Sequence, residues 1–464
     1  DVWLKAVKDS IRKTVAKSKV NPTDIKGIGI SGLYGGSGIP VDEKMEPVRP
    51  ALIWMDRRAA EETEWVKQNV NTNRLREITG NDVVDPYYGY TKVLWIKNHE
   101  PENWQRTKLF LPPNNYVIYK LTGKVSIDYS AAGNIGGFYD INKGTWSKEM
   151  MDAMGVPVDK MPEKFVDATE IAGLITKEAA QELGVPAGTP VIAGGIDVGA
   201  ANIGMGVFQP GRYVAAIGSS MNAALVSEEP IKGKGLIVWP YPYKSRQLVY
   251  NFSGSATAGA ITKWFRDNFG LLEKGVQESG GDNAYVTLGK EAHNVPAGSR
   301  GLVVLPYFMG ERAPVWNSNA KGLIFGLSLV HTKADIFHAF QEAVCYALRH
   351  SIESTGRNLG DYIVIAGGVT NSPDWVQMFA DVTGYAVRTP IDDAEANLGD
   401  VMLAGLATGT LTVDEVQQWQ VLGKKVEPRR AQHKVYNHYY QLYRILYNDL
   451  GSDMKALSEL TKIQ

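Results

Sequence analysis

The segment from Gly194 to Gly199 has the residue types of a catalytic site. Within it, Asp197 follows the apolar run 189–195, which predicts a buried strand ending in a turn. A carboxylate directly after such a strand, flanked by glycines, is held rigidly and stays accessible to a ligand. It could orient and deprotonate a hydroxyl group, as phosphoryl transfer requires. A helix N-cap is the alternative, and position alone does not separate the two.

A second candidate is the loop of Gly218, Ser219 and Ser220, which joins predicted strands over 211–217 and 223–226. The backbone N–H groups of such a loop can cradle phosphate oxygens. Considered alone, the loop is better interpreted as a plain hairpin turn.

A third candidate is the pair Gly367 and Gly368, which ends a predicted strand over 362–366 and precedes a predicted helix. Glycine there lets a ligand approach the backbone, and the N-terminus of the helix attracts anions. Two glycines are common in strand-to-helix turns, so the pair is a weak signal by itself. The chain has no GxxxxGK[ST] loop.

Adjacent opposite charges stand at Glu311 and Arg312, between Gly310 and Pro314. We expect a structural ion pair at a domain hinge rather than a ligand contact. The seven histidines are scattered without metal-ligand spacing, so no side-chain metal site is predicted. The single cysteine, Cys345, lies in a helical, apolar pattern and is expected to be buried and inert.

These residues must be positioned by alternating strands and helices, which defines the α/β class. Apolar runs predict strands over 25–31, 51–54, 189–195, 211–217, 223–226, 302–305 and 362–366, and at Val387. Helical spacing predicts helices over 2–15, 57–66, 92–98, 114–120, 334–351, 375–383, 398–407 and 435–457. A domain boundary is predicted between Gly204 and Gly211, which gives domains 1–207 and 208–464.

Composition narrows the function classes. The 464 residues suffice for two to four domains, and the net charge of −1 gives no basic field for nucleic acid. No apolar run approaches the roughly 20 residues that span a bilayer, so no membrane partner is expected. The first 19 residues form an amphipathic pattern rather than a signal peptide. With a single cysteine, this favours a cytoplasmic location.

An ordered set of segments resembles the FGGY carbohydrate kinases over nearly the whole chain. These segments are IKGIGISG (25–32), ALIWMDRR (51–58), DVVDPYYGYTKVLWIKNH (82–99), LTGKVSIDYSAAGN (121–134), VIAGGIDVGAANIGMG (191–206), AAIGSSMN (215–222), LPYFMGERAPVWNSNAKGLIFGL (305–327) and IAGGVTNSPDWVQMFADVTG (365–384). The resemblance implies two ribonuclease H-like (actin-like ATPase) domains with an interdomain cleft. The first would bind sugar and the second nucleotide.

The resemblance also implies roles for individual residues. Asp197 would be the general base. The acceptor would contact Asp197 and a set on the first domain, namely Leu33, Tyr34, Trp54, Asp56, Arg57 and Tyr87. ATP would contact glycine-rich loops of the second domain, namely Gly218, Ser219, Ser220, Gly310, Gly367, Gly368 and Asn371. Mg²⁺ would arrive with ATP, since phosphoryl transfer needs a cation to neutralise developing charge. A homodimer is compatible with the sequence, which does not specify an oligomeric state.

Two departures from the family pattern bear on function. The family opens with a hairpin that carries an Asp-x-Gly-Thr-Thr loop, and Asp1 aligns downstream of it, so we expect a longer natural protein. Tyr34-Gly35 stands where xylulokinases carry Met-His and glycerol kinases carry Arg-Glu. A ketopentose such as xylulose is the expected acceptor, with glycerol, erythritol and gluconate as alternatives. A non-catalytic actin-like regulator that binds ATP or sugar is the alternative of another class.

Overall fold

The chain forms two compact units in a computed structural model that describes residues 2–33, 35–391 and 396–461. Unit 1 contains Asp1–Pro210, Val226–Asn251 and Ala394–Gln420, and unit 2 contains Gly211–Leu225, Phe252–Asp393 and Val421–Gln464. The chain therefore returns twice to unit 1 after first leaving it at Pro210. The division at residues 207 and 208 stays a prediction.

Helices and strands alternate along both units. The helices are α1 (Val2–Ser18), α2 (Ala60–Asn69), α3 (Thr72–Thr79), α4 (Gly89–His99), α5 (Pro101–Arg106), α6 (Pro113–Thr122), α7 (Tyr129–Ile135), α8 (Lys148–Ala153), α9 (Lys177–Leu183), α10 (Asp197–Gly204), α11 (Gly259–Phe269), α12 (Leu271–Glu278), α13 (Ala284–Ala292), α14 (Lys333–Ser354), α15 (Pro373–Thr383), α16 (Ala396–Ala407), α17 (Val413–Trp419) and α18 (Arg430–Leu460). The strands are β1 (Ile39–Val41), β2 (Leu109–Leu111), β3 (Ile127–Asp128), β4 (Tyr139–Asp140), β5 (Thr145–Trp146), β6 (Phe165–Val166), β7 (Ile171–Leu174), β8 (Pro190–Ile192), β9 (Tyr213–Ile217), β10 (Met221–Ser227), β11 (Ile237–Pro240), β12 (Val249–Ser253), β13 (Val303–Leu305), β14 (Leu323–Phe325), β15 (Ile363–Ala366) and β16 (Val387–Arg388).

A hydrophobic core in unit 1 explains the amphipathic start of the chain. Leu4, Val7 and Ile11 of α1 pack against buried residues of α6 and α9, such as Leu121 and Leu183. These α1 side chains recur at three- to four-residue spacing, which places them on one helical face. The predicted first helix is therefore confirmed, and it continues to Ser18.

The strand predicted over 51–54 is wrong. Leu52 exchanges two hydrogen bonds with Ser37, and the amide of Asp56 donates to the carbonyl of Ile53 to close a turn. The helix predicted from Arg57 accordingly begins later, at Ala60. A short apolar run followed by charged residues is compatible with either a strand or a turn, so tertiary pairing decides.

The central strands of unit 2 bring two glycine-rich turns side by side. Strands β9 and β10 pair in an antiparallel hairpin through the loop 218–220, as predicted. Strand β15 runs parallel to β9, with Ala366 opposite Ala216, and β16 runs parallel to β15. Because both β9 and β15 end at this edge of the sheet, the turn after Ala366 lies beside the turn after Ile217.

Two further expectations can be compared with the fold. Cys345 is fully buried within α14, and this burial raises the pKa of its thiol, as expected of an inert residue. Across the part of the chain that the structure describes, no helix combines the length and apolar character needed to cross a bilayer.

Candidate active site

The strand predicted over 25–31 is wrong, because that range contains a single isolated bridge, at Ile28, and a second bridge follows at Gly32. The two parallel bridges place Asp197. Ile28 bridges to Val191 and Gly32 to Ile196, so the second segment contains one extra residue between the bridges. Gly194 takes up that residue with φ +63°, and a Cβ there would lie 2.0 Å from the Ile30 carbonyl oxygen. Only glycine fits this irregularity.

Asp197 lies at the exit of this irregular pairing, as the first residue of α10. Its amide donates to the Gly32 carbonyl at 2.9 Å, which joins the start of α10 to the loop after Gly32. Ile196, rather than Asp197, occupies the N-cap position of the helix. The helix N-cap interpretation therefore does not account for this aspartate.

The Asp197 carboxylate has the ionisation of a working base. Among the described residues, its side-chain hydrogen bond comes from the amide of Val198, to Oδ1 at 2.7 Å. Burial raises the pKa of Asp197 to about 6, and the Val198 hydrogen bond opposes this shift. The residue is nevertheless not fully buried. At neutral pH the group is mostly ionised and can accept a proton.

A second carboxylate, Asp400 of α16, lies close to Asp197. Helices α10 and α16 are in direct contact, with Gly399 against the Ala200 carbonyl. Asp400 Oδ2 accepts from the Ser31 hydroxyl at 2.9 Å and from the Ser31 amide at 3.2 Å. Burial raises the pKa of Asp400 to about 7, and the negative charge of Asp197 contributes to the rise. Sequence reasoning missed Asp400, although an acidic residue within a small-residue helix was a usable signal.

The glycine-rich loop after Gly32 connects Asp197 to three of the predicted acceptor residues. Leu33 lines a small cavity of about 20 Å³ together with Ile196, the residue before Asp197. Trp54 and Tyr87 both lie against Gly35 in the same loop. Tyr34 lies outside the described residues.

Two ion pairs shape the neighbouring surface of unit 1. Nη1 and Nη2 of Arg57 donate to the Asp85 carboxylate, at 2.5 and 2.8 Å. Asp56 instead accepts from Arg58. The first pairing brings Arg57 to the Tyr87 region, because Asp85 also accepts from the amide of Tyr87 at 2.8 Å. Asp56 lies beside Trp54, because its amide closes the turn onto the Ile53 carbonyl.

A buried lysine binds the backbone of the segment that contains Tyr87. Lys92 donates to the carbonyls of Pro86 and Tyr87, at 2.5 and 2.7 Å. Burial lowers the pKa of this ammonium group to about 7. Sequence reasoning treated Lys92 only as part of a helix, so its role as an anchor was missed.

Unit 2 contains a cavity of about 760 Å³, which is large enough for a nucleotide. It opens at the paired turns after β9 and β15, where Gly218, Ser219, Gly368 and Asn371 line it. Helices α11, α13, α14 and α15 supply the other walls. The lining residues that sequence reasoning missed are Gly259, Thr262, Lys263, Asn283, Tyr285, Gln341, Asp374 and Trp375, among others.

The remaining predicted nucleotide residues lie outside the cavity lining. Ser220 accepts the Gly218 amide through its carbonyl and closes the hairpin. Gly367 packs against the Ile217 carbonyl, and Gly310 packs against Ser318. Their contact with ATP stays a prediction. No three His, Cys, Asp or Glu side chains among the described residues come together to hold a metal ion.

Comparison with known proteins agrees with this arrangement. The model of the N-terminal domain of the FGGY family of carbohydrate kinases matches residues 1–204, and that of the C-terminal domain matches residues 214–408. A xylulose kinase from Staphylococcus xylosus is 26% identical over 456 residues, which cover 97% of this chain and 90% of that protein. A xylulose kinase from Escherichia coli (strain K12) is 30% identical over 365 residues, covering 78% and 71%. The crystal structure of xylulose kinase from Rhodospirillum rubrum superposes with a TM-score of 0.86 at 26% identity, covering 97% and 91%.

Proposed function

The chain belongs to the FGGY family of carbohydrate kinases, and from that premise we propose that it phosphorylates a ketopentose, xylulose first, with Asp197 as general base. The chain has the α/β, two-domain actin-like fold of that family and is an ATP-dependent carbohydrate kinase. The proposal therefore concerns the acceptor, the residues that act on it, and the metal.

The state of Asp197 carries the proposal. The residue is not fully buried, and its carboxylate accepts one hydrogen bond from Val198, so an oxygen remains for an acceptor hydroxyl. Its pKa, raised to about 6, keeps the base charged at neutral pH and more basic than an exposed aspartate. As the acceptor oxygen attacks the γ-phosphorus of ATP, its proton passes to Asp197 and ADP leaves.

We assign acceptor binding to unit 1 and nucleotide binding to unit 2. In unit 1, Trp54 presents a partly exposed aromatic ring beside the loop after Gly32, and Tyr87 is buried against the same loop. Arg57 and Asp56 supply charged groups nearby. Aromatic rings favour the apolar faces of sugars, and charged groups favour their hydroxyls. Xylulose is preferred because it is the acceptor named for the relatives from S. xylosus and E. coli.

In unit 2, the cavity at the paired glycine turns is proposed to hold ATP. The amides after β9 and β15 would face its phosphates, and Trp375 and Tyr285 would flank its base. Mg²⁺ is proposed to enter with ATP and to be held by its phosphates, because the described side chains form no three-residue metal cluster. When bound, the cation would neutralise charge on the transferring group.

The proposal is tested by ADP release from the full-length protein with a panel of acceptors: xylulose, ribulose, xylitol, glycerol, erythritol and gluconate. We expect the highest kcat/KM with xylulose, by about tenfold or more over glycerol, since an unsatisfied buried polar group costs 1–3 kcal/mol. A higher kcat/KM for another acceptor would reassign the substrate. ADP release that no acceptor stimulates would contradict the proposal.

A further inference from the structure

Glu311 is a buried carboxylate that holds the backbone of a neighbouring loop. It is 8% exposed, and its Oε2 accepts from the Ser255 hydroxyl at 2.6 Å. Its Oε1 accepts from the amides of Ala256 and Arg312, both at 2.8 Å. The Arg312 guanidinium reaches the same loop, because its Nη2 donates to the Ser255 carbonyl at 3.0 Å. Both neighbouring charges therefore fix the segment 255–256.

That segment leads to residues that hydrogen-bond to the loop of Gly218, Ser219 and Ser220, which is the proposed phosphate loop. Ala258 donates to the Ser219 carbonyl and Gly259 to the Gly218 carbonyl, both at 2.8 Å. From the other side, the Met221 amide donates to the Ser255 carbonyl at 3.1 Å. Thr257 alone thus stands between Ala256, whose amide binds Glu311, and Ala258, whose amide binds the loop that lines the nucleotide cavity.

We propose that Glu311 is a positioning residue for the nucleotide, which sets the shape of the Gly218-Ser219 loop through the segment 255–259. The inference rests on the proposed nucleotide site. Glu311 itself does not line the 760 Å³ cavity, so it acts through the backbone rather than by contact with ATP. Replacement of Glu311 should lower the affinity for ATP more than the affinity for the acceptor, because the acceptor residues are assigned to unit 1.

The ionisation of Glu311 should make its effect on the Gly218-Ser219 loop depend on pH. Burial raises the pKa of Glu311 to about 7, while its three hydrogen-bond donors and Arg312 oppose the shift. The other ionisable groups that face it are Tyr307 and Tyr443, whose own pKa values are raised by burial. His350, which lines the same small cavity, has a pKa lowered by burial to about 3 and is neutral. The charged carboxylate accepts all three donors, and protonation on acidification weakens that grip.

The test is the dissociation constant of ATP, measured by calorimetry with the full-length protein at several pH values. In Glu311→Gln we expect ATP to bind about 5- to 20-fold more weakly at mildly alkaline pH, since hydrogen bonds to a charged group are lost. The acceptor KM should stay within about twofold of wild type. The ratio of the two dissociation constants should shrink as the pH falls below about 7, because wild type then loses its charge. Titration of ATP itself is common to both proteins and cancels in this ratio.

Two controls separate this role from general destabilisation. Glu62→Gln removes a buried carboxylate of unit 1, which is bound by Asn98, and should leave the ATP affinity unchanged. Ser255→Ala removes one donor to Glu311 and should weaken ATP binding in the same direction, which covers the case in which Glu311→Gln does not fold. Unchanged ATP affinity in the Glu311 and Ser255 variants, or an equal rise in acceptor KM, would overturn the inference. Failure of wild type to bind ATP would instead overturn the proposed nucleotide site.

Discussion

The amide of Asp197 donates to the carbonyl of Gly32 at 2.9 Å, and this bond ties the proposed base to the loop of the acceptor residues. The bond exists because the paired segments are out of step by one residue, which Gly194 accommodates. Base and acceptor loop are therefore positioned by one backbone irregularity.

Replacement of Gly194 by alanine should remove that positioning. A Cβ would lie 2.0 Å from the Ile30 carbonyl oxygen, and φ is +63°. We expect a loss of unfolding free energy of about 3 kcal/mol or more, together with lower turnover, because backbone must shift. Gly184→Ala is the matched control, with φ +73° but open space around the Cβ. It should cost only about 1 kcal/mol. Equal losses in urea unfolding would refute the clash argument.

Replacement of Asp197 by asparagine should stabilise the fold at neutral pH. The pKa of Asp197 rises from 3.8 to about 6 on folding, so the folded protein binds its proton more tightly than the unfolded chain. The charged form therefore costs stability above about pH 6. Because the residue is not fully buried, we expect a gain of about 1–2 kcal/mol in the variant.

The pH dependence of that gain identifies its cause. It should shrink as the pH falls through about 6 and vanish below about pH 3, where aspartate is protonated in both the folded and the unfolded state. The measurement is urea unfolding of both proteins across this range. A gain that did not change with pH would exclude the titration of Asp197 as its origin.

Replacement of Asp400 by asparagine should leave the acidic limb of the pH–rate profile nearly in place. Burial and the charge of Asp197 raise the pKa of Asp400 to about 7, so Asp400 is mostly protonated at the lower pH where Asp197 itself titrates. Asparagine still offers an acceptor to Ser31 and, like the protonated carboxyl group, carries no charge. The limb of kcat/KM should therefore move by less than about 0.3 pH unit. A limb that moved to lower pH by about one unit or more would show that Asp400 is charged while Asp197 titrates, which would contradict this order of ionisation.

Replacement of Gly259 by alanine should weaken the binding of ATP without changing the binding of the acceptor. A Cβ at this position would lie 2.6 Å from the Gly218 carbonyl oxygen, so the proposed phosphate loop would have to move. We expect the KM for ATP to rise about 10-fold, since small displacements in a binding loop are costly. Gly275→Ala, in neighbouring α12, meets no atom within 4 Å and is the control. Similar KM values for the two variants would count against the loop assignment.

Local patterns predicted what depends on neighbours along the chain. Asp197 after an apolar run, the hairpin around Ser219 and helices α14, α15 and α18 follow from periodicity and turn residues, whereas α11, α12 and α13 were not predicted. The strand over 51–54 failed because its hydrogen bonds go to Ser37 and to a local turn. A cytoplasmic location stays a prediction.

Contacts between residues that are distant in the chain and meet only through packing could not be predicted from the sequence. Asp400 approaches Asp197 because α10 and α16 touch at Ala200 and Gly399. The sequence of one helix does not indicate that the other packs against it. The clamp on Ser255 by Glu311 likewise joins distant segments, although the sequence had suggested an ion pair with Arg312. The family resemblance assigned roles to positions, but it could not supply these contacts.

The most direct test of the account is sugar-dependent ADP release by Asp197→Asn with xylulose and ATP, alongside ATP binding to the same variant. Asparagine can still accept the Val198 amide but cannot take a proton. We predict that kcat falls by about 10²- to 10⁴-fold, while the dissociation constant of ATP stays within about twofold of wild type. Turnover within about tenfold of wild type, in a folded variant that binds ATP, would contradict the assignment of Asp197 as the base.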